Sequence, residues 1–211
     1  MIFRPTKTNS DPHINVQTWE PSIVHALIQR PFLPPERSII QLILDVDGVI
    51  NQLPNTTNRV NETLSADLVV LRESRGTFPI HVDLEVVRAL DELVQRPNVA
   101  LAWLTTWGRD VDLFIEGPLR GLLSGGYVIE RTHPYASDWK LRALIEHQVE
   151  LGRPAYVWVD DVAIGEARLL RPDFIRGPVP AGGRLLIETN PTVGLTLDQV
   201  DEIRRFIDGK S

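Results

Sequence analysis

The sequence predicts an α/β fold, a three-layer sandwich with a mainly parallel, five-stranded sheet at its centre. Short apolar runs rich in β-branched residues alternate with amphipathic segments of helical period from residue 39 onward. The runs are almost free of polar residues, which is typical of strands buried on both faces. Because crossovers between parallel strands are right-handed, the helices are expected on both faces of the sheet.

Residues 1–38 are predicted to form a proline-rich arm laid over the domain. Proline fixes φ and lacks an amide donor, so most of this stretch is expected to be irregular, with one short helix at 22–29. We therefore divide the chain into an arm at 1–38 and an α/β domain at 39–211. The prolines of the arm are Pro5, Pro12, Pro21, Pro31, Pro34 and Pro35.

The first half of the domain is predicted to hold two buried strands, a small hairpin flap and two helices. The flap, about residues 51–82, combines a polar loop with two β-like stretches on either side of Gly76. Asp83 is expected to cap the first helix, and Gly117-Pro118 to break or kink the second. In order, these elements are a strand at 39–44, hairpin strands at 68–72 and 77–82, a helix to 95, a strand at 99–104 and a helix at about 110–123.

The second half of the domain continues the alternation of strands and helices and supplies the remaining strands of the sheet. Thr196 is expected to cap the last helix, whose apolar residues recur on one face. Together the two halves predict a Rossmann-like arrangement. The remaining elements are a strand at 127–129, a helix at 138–151, a strand at 155–159, a helix to about 170, a strand at 185–188 and a helix at 196–207.

Polar side chains follow three of the predicted strands, at the point where each strand ends. Ligands of open α/β sheets bind beyond the carboxyl ends of the strands, so these side chains are expected on one rim of the sheet. Taken singly, each also fits a turn, a helix N-cap, a local hydrogen bond or a solvated lysine. The set is Asp45 and Asp47 after the first strand, Thr105 and Thr106 after the second, Asp160 and Asp161 after the fourth, and Lys140 in the helix before the fourth strand.

Four carboxylates on one rim predict a bound cation. Converging carboxylates repel one another, and Lys140 supplies only one positive charge. An all-oxygen site suits Mg²⁺, which keeps several waters and shares its remaining ligands with phosphate. Zinc is disfavoured because the chain has no cysteine and its 5 histidines show no ligand spacing.

Composition narrows the class of protein further. The 211 residues include 22 Lys and Arg against 28 Asp and Glu, so the net charge is −6 and a basic nucleic-acid footprint is absent at whole-chain level. The absence of cysteine excludes disulfides, iron–sulfur clusters and cysteine nucleophiles. No apolar run approaches the roughly 20 residues of a membrane span, and residues 1–11 lack the apolar core of a signal peptide. We expect a cytoplasmic enzyme or binding domain without a membrane partner.

Four stretches resemble, in order, the four motifs of the haloacid dehalogenase (HAD) superfamily. Leu-Asp-Val-Asp-Gly-Val-Ile at 44–50 resembles the first motif, Leu-Thr at 104–105 the second, Lys140 the third, and Val-Trp-Val-Asp-Asp at 157–161 the fourth. The resemblance covers residues 39–170. The stretches at 103–108 and 190–196 also look like a small subgroup similar to the HAD modules of RNA-repair proteins.

The resemblance implies a Mg²⁺-dependent phosphatase that acts on a phosphorylated substrate. Asp45 is expected to attack phosphorus and form an aspartyl-phosphate. Asp47 is expected to protonate the leaving oxygen and then to deprotonate the hydrolytic water. Thr105 is expected to hydrogen-bond the transferring phosphoryl group, and Lys140 to neutralise charge on Asp45 and the phosphate.

The same resemblance implies a metal and substrate set with two open assignments. The expected Mg²⁺ ligands are Asp45, the backbone carbonyl of Asp47 and the pair Asp160-Asp161, either of which can be the direct ligand. Thr106 can take the place of Thr105. Thr106 and Gly48 are expected to bind substrate. Arg109, from its position after the second strand rather than from the resemblance, is a candidate phosphate contact that equally fits a solvated surface arginine.

The spacing of the motifs leaves little room for a cap domain. Residues 47–83 hold only a loop and hairpin, and residues 106–140 only one helix and one strand, so a capless or minimally capped member is expected. An open site suits a nucleic-acid end or a phosphoprotein as well as a small molecule, or needs a partner subunit as its lid. Arg72 and Arg75 of the flap are candidate phosphate contacts, although they also fit solvated surface residues. Trp107 and Trp139 either pack in the core or line the pocket mouth.

Two other classes of protein share parts of this pattern. Response-regulator receivers also place acids, a Thr and a Lys around Mg²⁺, but their Lys comes last, whereas Lys140 precedes Asp160-Asp161 here. A catalytically idle HAD-like binding module is the other alternative. The complete set of motif residues disfavours it.

Overall fold

The computed structural model of the protein describes residues 39–53, 64–70, 76–177, 179–180 and 182–209. The predicted arm at 1–38, with its helix at 22–29, lies outside the described residues, as do Arg72 and Arg75. In chain order the strands are β1 (Ile40–Leu44), β2 (Leu64–Val70), β3 (Gly76–Val82), β4 (Val99–Trp103), β5 (Tyr127–Val128), β6 (Ala155–Asp160) and β7 (Arg184–Glu188). The helices are α1 (Leu84–Val94), α2 (Val111–Glu116), α3 (Trp139–Glu150), α4 (Ala163–Leu170), α5 (Pro172–Arg176) and α6 (Leu197–Asp208).

The main sheet confirms the predicted architecture. It has five strands in the order β5-β4-β1-β6-β7, and every pairing in it is parallel. Strand β1 is central and buried along its whole length. The strands β2 and β3 form the predicted hairpin as a separate antiparallel pair.

Helices cover both faces of the sheet, as three layers require. Alternate residues of β1 point to opposite faces, so Leu42 and Leu44 join one apolar cluster and Ile43 joins the other. The cluster on the first face includes Leu90 of α1 and residues of α2 and α6. The cluster on the second face includes Leu144 of α3 and residues of α4. The sheet is therefore packed on both sides and held rigid beneath its carboxyl rim.

The predicted caps are present at two helices. The Asp83 carboxylate accepts hydrogen bonds from the N–H groups of Glu85 and Val86 at the start of α1. Thr196 and Gln199 form a reciprocal capping box at the start of α6. Each cap satisfies amide groups that the first turn of a helix leaves unpaired.

Three elements differ from the sequence prediction. A 3₁₀ turn at Gly108–Asp110 precedes helix α2, which ends at Glu116 instead of running to 123, because the predicted break at Gly117-Pro118 stops it there. Helix α5 was not predicted; it is only five residues long and starts with Pro172, whose fixed φ suits the first helical position. The first hairpin strand begins at Leu64, four residues earlier than predicted.

The strand register brings the predicted site residues to one edge. Leu44 of β1 lies level with Trp103 of β4 on one side and with Val159 of β6 on the other. The residues that follow these three positions therefore emerge together at the carboxyl rim of the sheet. None of the helices within the described ranges is long and apolar enough to cross a membrane.

Candidate active site

Three carboxylates meet at the carboxyl rim. Asp45, Asp160 and Asp161 each offer an oxygen, and these oxygens lie within 4.8 Å of one another. Lys140, in the first turn of α3, reaches the same point with its ammonium group. The structure brings these four residues together, whereas the sequence predicted that Asp47 would join the same group of carboxylates.

Asp45 directly follows β1, and the residue is 5% exposed. Its Oδ1 accepts a hydrogen bond of 2.7 Å from the Val46 N–H, and its Oδ2 pairs with Lys140 Nζ. Burial raises the pKa of Asp45 to about 6 and the charge of Asp160 acts in the same direction, while Lys140 opposes both. The group is fixed in position and poorly solvated, so its negative charge is less stable than that of a carboxylate in water.

Lys140 is the counter-charge that the rim itself supplies. Its Nζ donates to Asp160 Oδ2 at 2.7 Å as well as to Asp45. Burial by itself would lower the pKa of Lys140, but the charges of Asp45 and Asp160 raise it above its ordinary value. The lysine is therefore held charged, and it faces more than one negative charge.

Asp160 and Asp161 differ in what their oxygens already bind. Asp160 is fully buried; its Oδ1 accepts from the N–H groups of Val162 and Ala163 at 3.0 and 2.6 Å, and its Oδ2 accepts from Lys140. Three of its roughly four acceptor positions are thus used. Asp161 is only partly buried and lines the cavity above the rim. Burial, followed by the charge of Asp160, raises the pKa of Asp161 above its usual range.

Gly48 lies so close to Asp161 that a side chain at position 48 would have no space. Its φ is +73°, and a Cβ built there would lie 2.3 Å from Asp161 Oδ2. The Gly48 carbonyl accepts a 2.7 Å hydrogen bond from the Thr189 hydroxyl. A glycine is needed here because the backbone turns in the left-handed region and approaches the Asp161 carboxylate closely. A direct contact of Gly48 with substrate stays a prediction.

Asp47 faces the same cavity but stands apart from the three clustered carboxylates. Its Oδ1 accepts a 2.7 Å hydrogen bond from Asn51 Nδ2. Its Oδ2 accepts one of the same length from the indole N–H of Trp107. The side chain is therefore beside the cluster rather than within it, as suits an acid–base group more than a metal ligand. The expected metal contact of its backbone carbonyl stays a prediction.

The two threonines after β4 occupy different environments. Thr105 is buried, and its hydroxyl oxygen accepts a 3.2 Å hydrogen bond from the Trp107 N–H, which leaves the hydroxyl hydrogen to be donated. Thr106 is exposed and lines the cavity. Arg109 does not line this cavity; its guanidinium pairs with Glu130 at 2.9 Å on the surface. A substrate contact by Arg109 stays a prediction.

The cavity above the rim has a volume of about 290 Å³. That volume has room for a phosphate group and part of its substituent. Trp139 is buried and contributes to the lining, and the guanidinium of Arg131 lies 4.7 Å over its ring. The cavity residues that carry charge or a hydroxyl are Asp45, Asp47, Thr106, Ser137, Asp138, Lys140, Asp161 and Glu166.

The donor set fits Mg²⁺. It consists of carboxylate oxygens only, gathered at the floor of a cavity with space for water and phosphate. Mg²⁺ prefers such oxygen ligands and retains several waters, which a partly open site allows. Within the described ranges, Asp45, Asp160 and Asp161 are the one cluster of three or more acids or histidines with this spacing.

A parallel α/β sandwich with an Asp-Lys-Asp-Asp rim is the arrangement expected of a HAD-type hydrolase. The sequence model of one protein family, described as the HAD domain in Swiss Army Knife RNA repair proteins, matches residues 41–200. The chain belongs to this family. Neither the curated proteins nor the solved structures give a significant match.

Sequence reasoning assigns Asn51 to a polar loop and Trp107 to the core or the pocket mouth, and it predicts neither contact with Asp47. Both donate to Asp47. No spacing rule finds them, because the direction of an indole or amide N–H depends on the turn that carries it.

Proposed function

We propose that the protein is a Mg²⁺-dependent phosphatase that hydrolyses phosphomonoesters through an aspartyl-phosphate on Asp45. The observation that carries the proposal is the Asp45 carboxylate, which is buried at the floor of a cavity between a charged lysine and a second acid. A purely structural salt bridge does not require a third carboxylate or a cavity at the same point.

In the proposed first step, a carboxylate oxygen of Asp45 forms a bond to phosphorus and the bond from phosphorus to the leaving oxygen breaks. Asp47 gives its proton to that leaving oxygen. In the second step, water attacks phosphorus, Asp47 takes the proton of the water, and Asp45 is regenerated as inorganic phosphate leaves. Atoms and charge balance over the two steps without a further reactant.

The remaining residues act by position and charge. Lys140 stabilises negative charge on Asp45 and on the phosphoryl oxygens, and Thr105 or Thr106 hydrogen-bonds those oxygens. We propose Asp45 and Asp161 as the direct Mg²⁺ ligands, since the oxygens of Asp160 are already committed to Lys140 and α4. When bound, Mg²⁺ supplies the positive charge that the rim lacks and draws electron density from the phosphoryl oxygens.

We place the terminal phosphate of an RNA first among the substrates. Two observations support this choice: the family is named for HAD domains of RNA-repair proteins, and the described part of the chain has no cap domain over the cavity. Two arginines of the neighbouring segments pair with acids, Arg109 with Glu130 and Arg142 with Asp138, while Arg131 stacks over Trp139. We therefore expect recognition of the phosphorylated end rather than of a long charged backbone. Small phosphorylated molecules and phosphoproteins are the alternatives that a substrate panel separates.

Mg²⁺ is expected to be required for turnover of a generic aryl phosphate. Removal of the ion by EDTA should abolish hydrolysis, and added Mg²⁺ should restore it. Asp161→Asn should raise the Mg²⁺ concentration for half-maximal rate by at least about 10- to 100-fold, because one ligand charge is lost. Glu188→Gln, a surface carboxylate paired with Arg168, is the matched control and should leave that concentration unchanged.

The catalytically idle alternative makes the opposite prediction. A folded protein that binds Mg²⁺ in calorimetry, but hydrolyses no member of a panel of nucleotides, sugar phosphates, phosphopeptides and 3′- or 5′-phosphorylated oligonucleotides, would contradict the phosphatase proposal. A stable phosphoprotein after acetyl phosphate treatment would instead support a phospho-acceptor domain. The cytoplasmic location expected from the sequence stays a prediction.

A further inference from the structure

We infer that Trp107 and Asn51 are positioning residues that clamp Asp47 from two sides and aim it at the leaving group. The inference rests on the proposed phosphatase function, and it gives Trp107 and Asn51 a role that neither the four motifs nor the family description states. Each residue donates one hydrogen bond of 2.7 Å, and the two bonds go to different oxygens of the same carboxyl group.

Trp107 is held so that its N–H points at Asp47. The side chain is 9% exposed, and its ring packs against the ring of Phe114 with centroids 5.5 Å apart. Phe114 is fully buried in α2, so it cannot move without disturbing the core. The Trp107 backbone N–H donates to the Thr105 hydroxyl, so these two residues are held together within the turn after β4.

Asn51 is held by the base of the hairpin. Its Oδ1 accepts a 2.9 Å hydrogen bond from the His81 N–H, and the next residue, Gln52, donates its N–H to the His81 carbonyl at 2.8 Å. Because a backbone N–H is always a donor, the oxygen of the Asn51 amide must face His81 and its NH₂ must face Asp47. The orientation of the amide is thus determined by the strand it contacts.

Two donors on two oxygens restrict rotation of the Asp47 carboxyl group. A carboxyl group has about four acceptor positions, so two remain after both bonds are formed, and one of them can carry the proton that is transferred. Proton transfer requires that this position face the leaving oxygen within hydrogen-bond reach. A small misplacement of a catalytic group can lower the rate about 100-fold, so a clamp of this kind has kinetic value.

Two substrates whose leaving oxygens differ in basicity can distinguish a residue that positions the acid from one that only supports the structure. 4-Nitrophenyl phosphate releases a stable anion and needs little protonation, whereas phenyl phosphate has nearly the same shape but a more basic leaving oxygen. Loss of the clamp should therefore slow phenyl phosphate selectively, while a structural defect should slow both substrates alike. The ratio of kcat/KM for the two substrates is informative because kcat/KM reports the phosphorylation step, which is the step with leaving-group departure.

The test compares Trp107→Phe and Asn51→Asp with wild type in the presence of Mg²⁺. Trp107→Phe keeps an aromatic ring against Phe114 but removes the N–H. Asn51→Asp has the same shape and keeps the acceptor for His81, but it replaces the donor to Asp47. In both variants we expect kcat/KM for phenyl phosphate to fall about 10- to 100-fold and that for 4-nitrophenyl phosphate to fall less than about threefold.

Trp158→Phe is the matched control. Trp158 is fully buried in β6, and its indole N–H has no hydrogen-bond partner in the described part of the chain. The ratio of the two kcat/KM values should stay at the wild-type value in this variant. Equal losses on both substrates in Trp107→Phe and Asn51→Asp, or the same change of ratio in Trp158→Phe, would overturn the positioning role. A wild-type protein that hydrolyses neither substrate would overturn the phosphatase proposal itself, which is a distinguishable result.

Discussion

Asp45→Asn is expected to abolish hydrolysis and, in the metal-free protein, to increase stability at neutral pH. The asparagine cannot form the aspartyl-phosphate, so the loss of turnover should be at least about 10⁴-fold, the scale seen when a covalent nucleophile is removed. The stability gain has a separate cause: Asn brings no negative charge to the buried rim, where burial raises the pKa of Asp45 to about 6. A substitution that lowers activity but raises stability indicates that the original side chain serves function rather than folding.

The pH dependence of that gain follows from the direction of the shift. An acid whose pKa is higher in the folded state binds more protons there than in the unfolded chain, so its contribution to stability falls as the pH rises from about 4 to about 6. The difference in unfolding free energy between Asp45→Asn and metal-free wild type should therefore be small near pH 4. It should grow to roughly 3 kcal/mol above pH 6. Denaturant unfolding in EDTA at several pH values measures it, and a wild type more stable than the variant at pH 7 would contradict the account.

Lys140→Met is expected to be the most destabilising substitution at the rim. It keeps the buried aliphatic stem but leaves Asp45 and Asp160 without their shared cation, and breaking a buried pair in this way costs about 3–5 kcal/mol. Turnover should fall as well, since the lysine no longer balances charge on the phosphoryl group. Added Mg²⁺ should raise the melting temperature of this variant more than that of wild type, because it becomes the main counter-charge at the rim.

Arg142→Met is the control for Lys140→Met on the same helix. Arg142 pairs with Asp138 at 2.7 Å, but its side chain is 47% exposed. An exposed pair one helical turn apart contributes little to stability, so thermal unfolding should change little. Equal destabilisation by the two variants would mean that α3, rather than the charge at the rim, is sensitive to substitution.

Much of the fold could be predicted because buried parallel strands leave a strong pattern. The run at 99–104 is uninterruptedly apolar, and Thr196 carries both the residue type and the spacing of a capping box. Helix α5 could not be predicted, since five residues are too few to show a helical period. The sequence predicts too late a start for the first hairpin strand, because the bounds of this strand depend on its pairing with β3 more than on its own residues.

The candidate site was predictable to the extent that its chemistry follows strand ends. Asp45, Lys140 and Asp161 come together because each lies at the carboxyl end of a strand or at the start of the next helix. The sequence could not tell which of Asp160 and Asp161 has carboxylate oxygens left to bind a metal, since adjacent carboxylates look alike until their hydrogen bonds are known. The donors to Asp47 were missed for the same reason: a side chain's direction depends on the turn around it, not on spacing in the sequence.

The most direct test of the account is to locate the phosphoryl group during turnover. Wild-type protein is mixed with Mg²⁺ and substrate, quenched in acid within the first turnovers and reduced with borohydride, which converts an aspartyl-phosphate to homoserine. Peptide mass spectrometry should then find the modification at Asp45, and none in Asp45→Asn. Modification at another residue, or hydrolysis that continues with Asp45 unmodified and with Asp45→Asn active, would contradict the central claim.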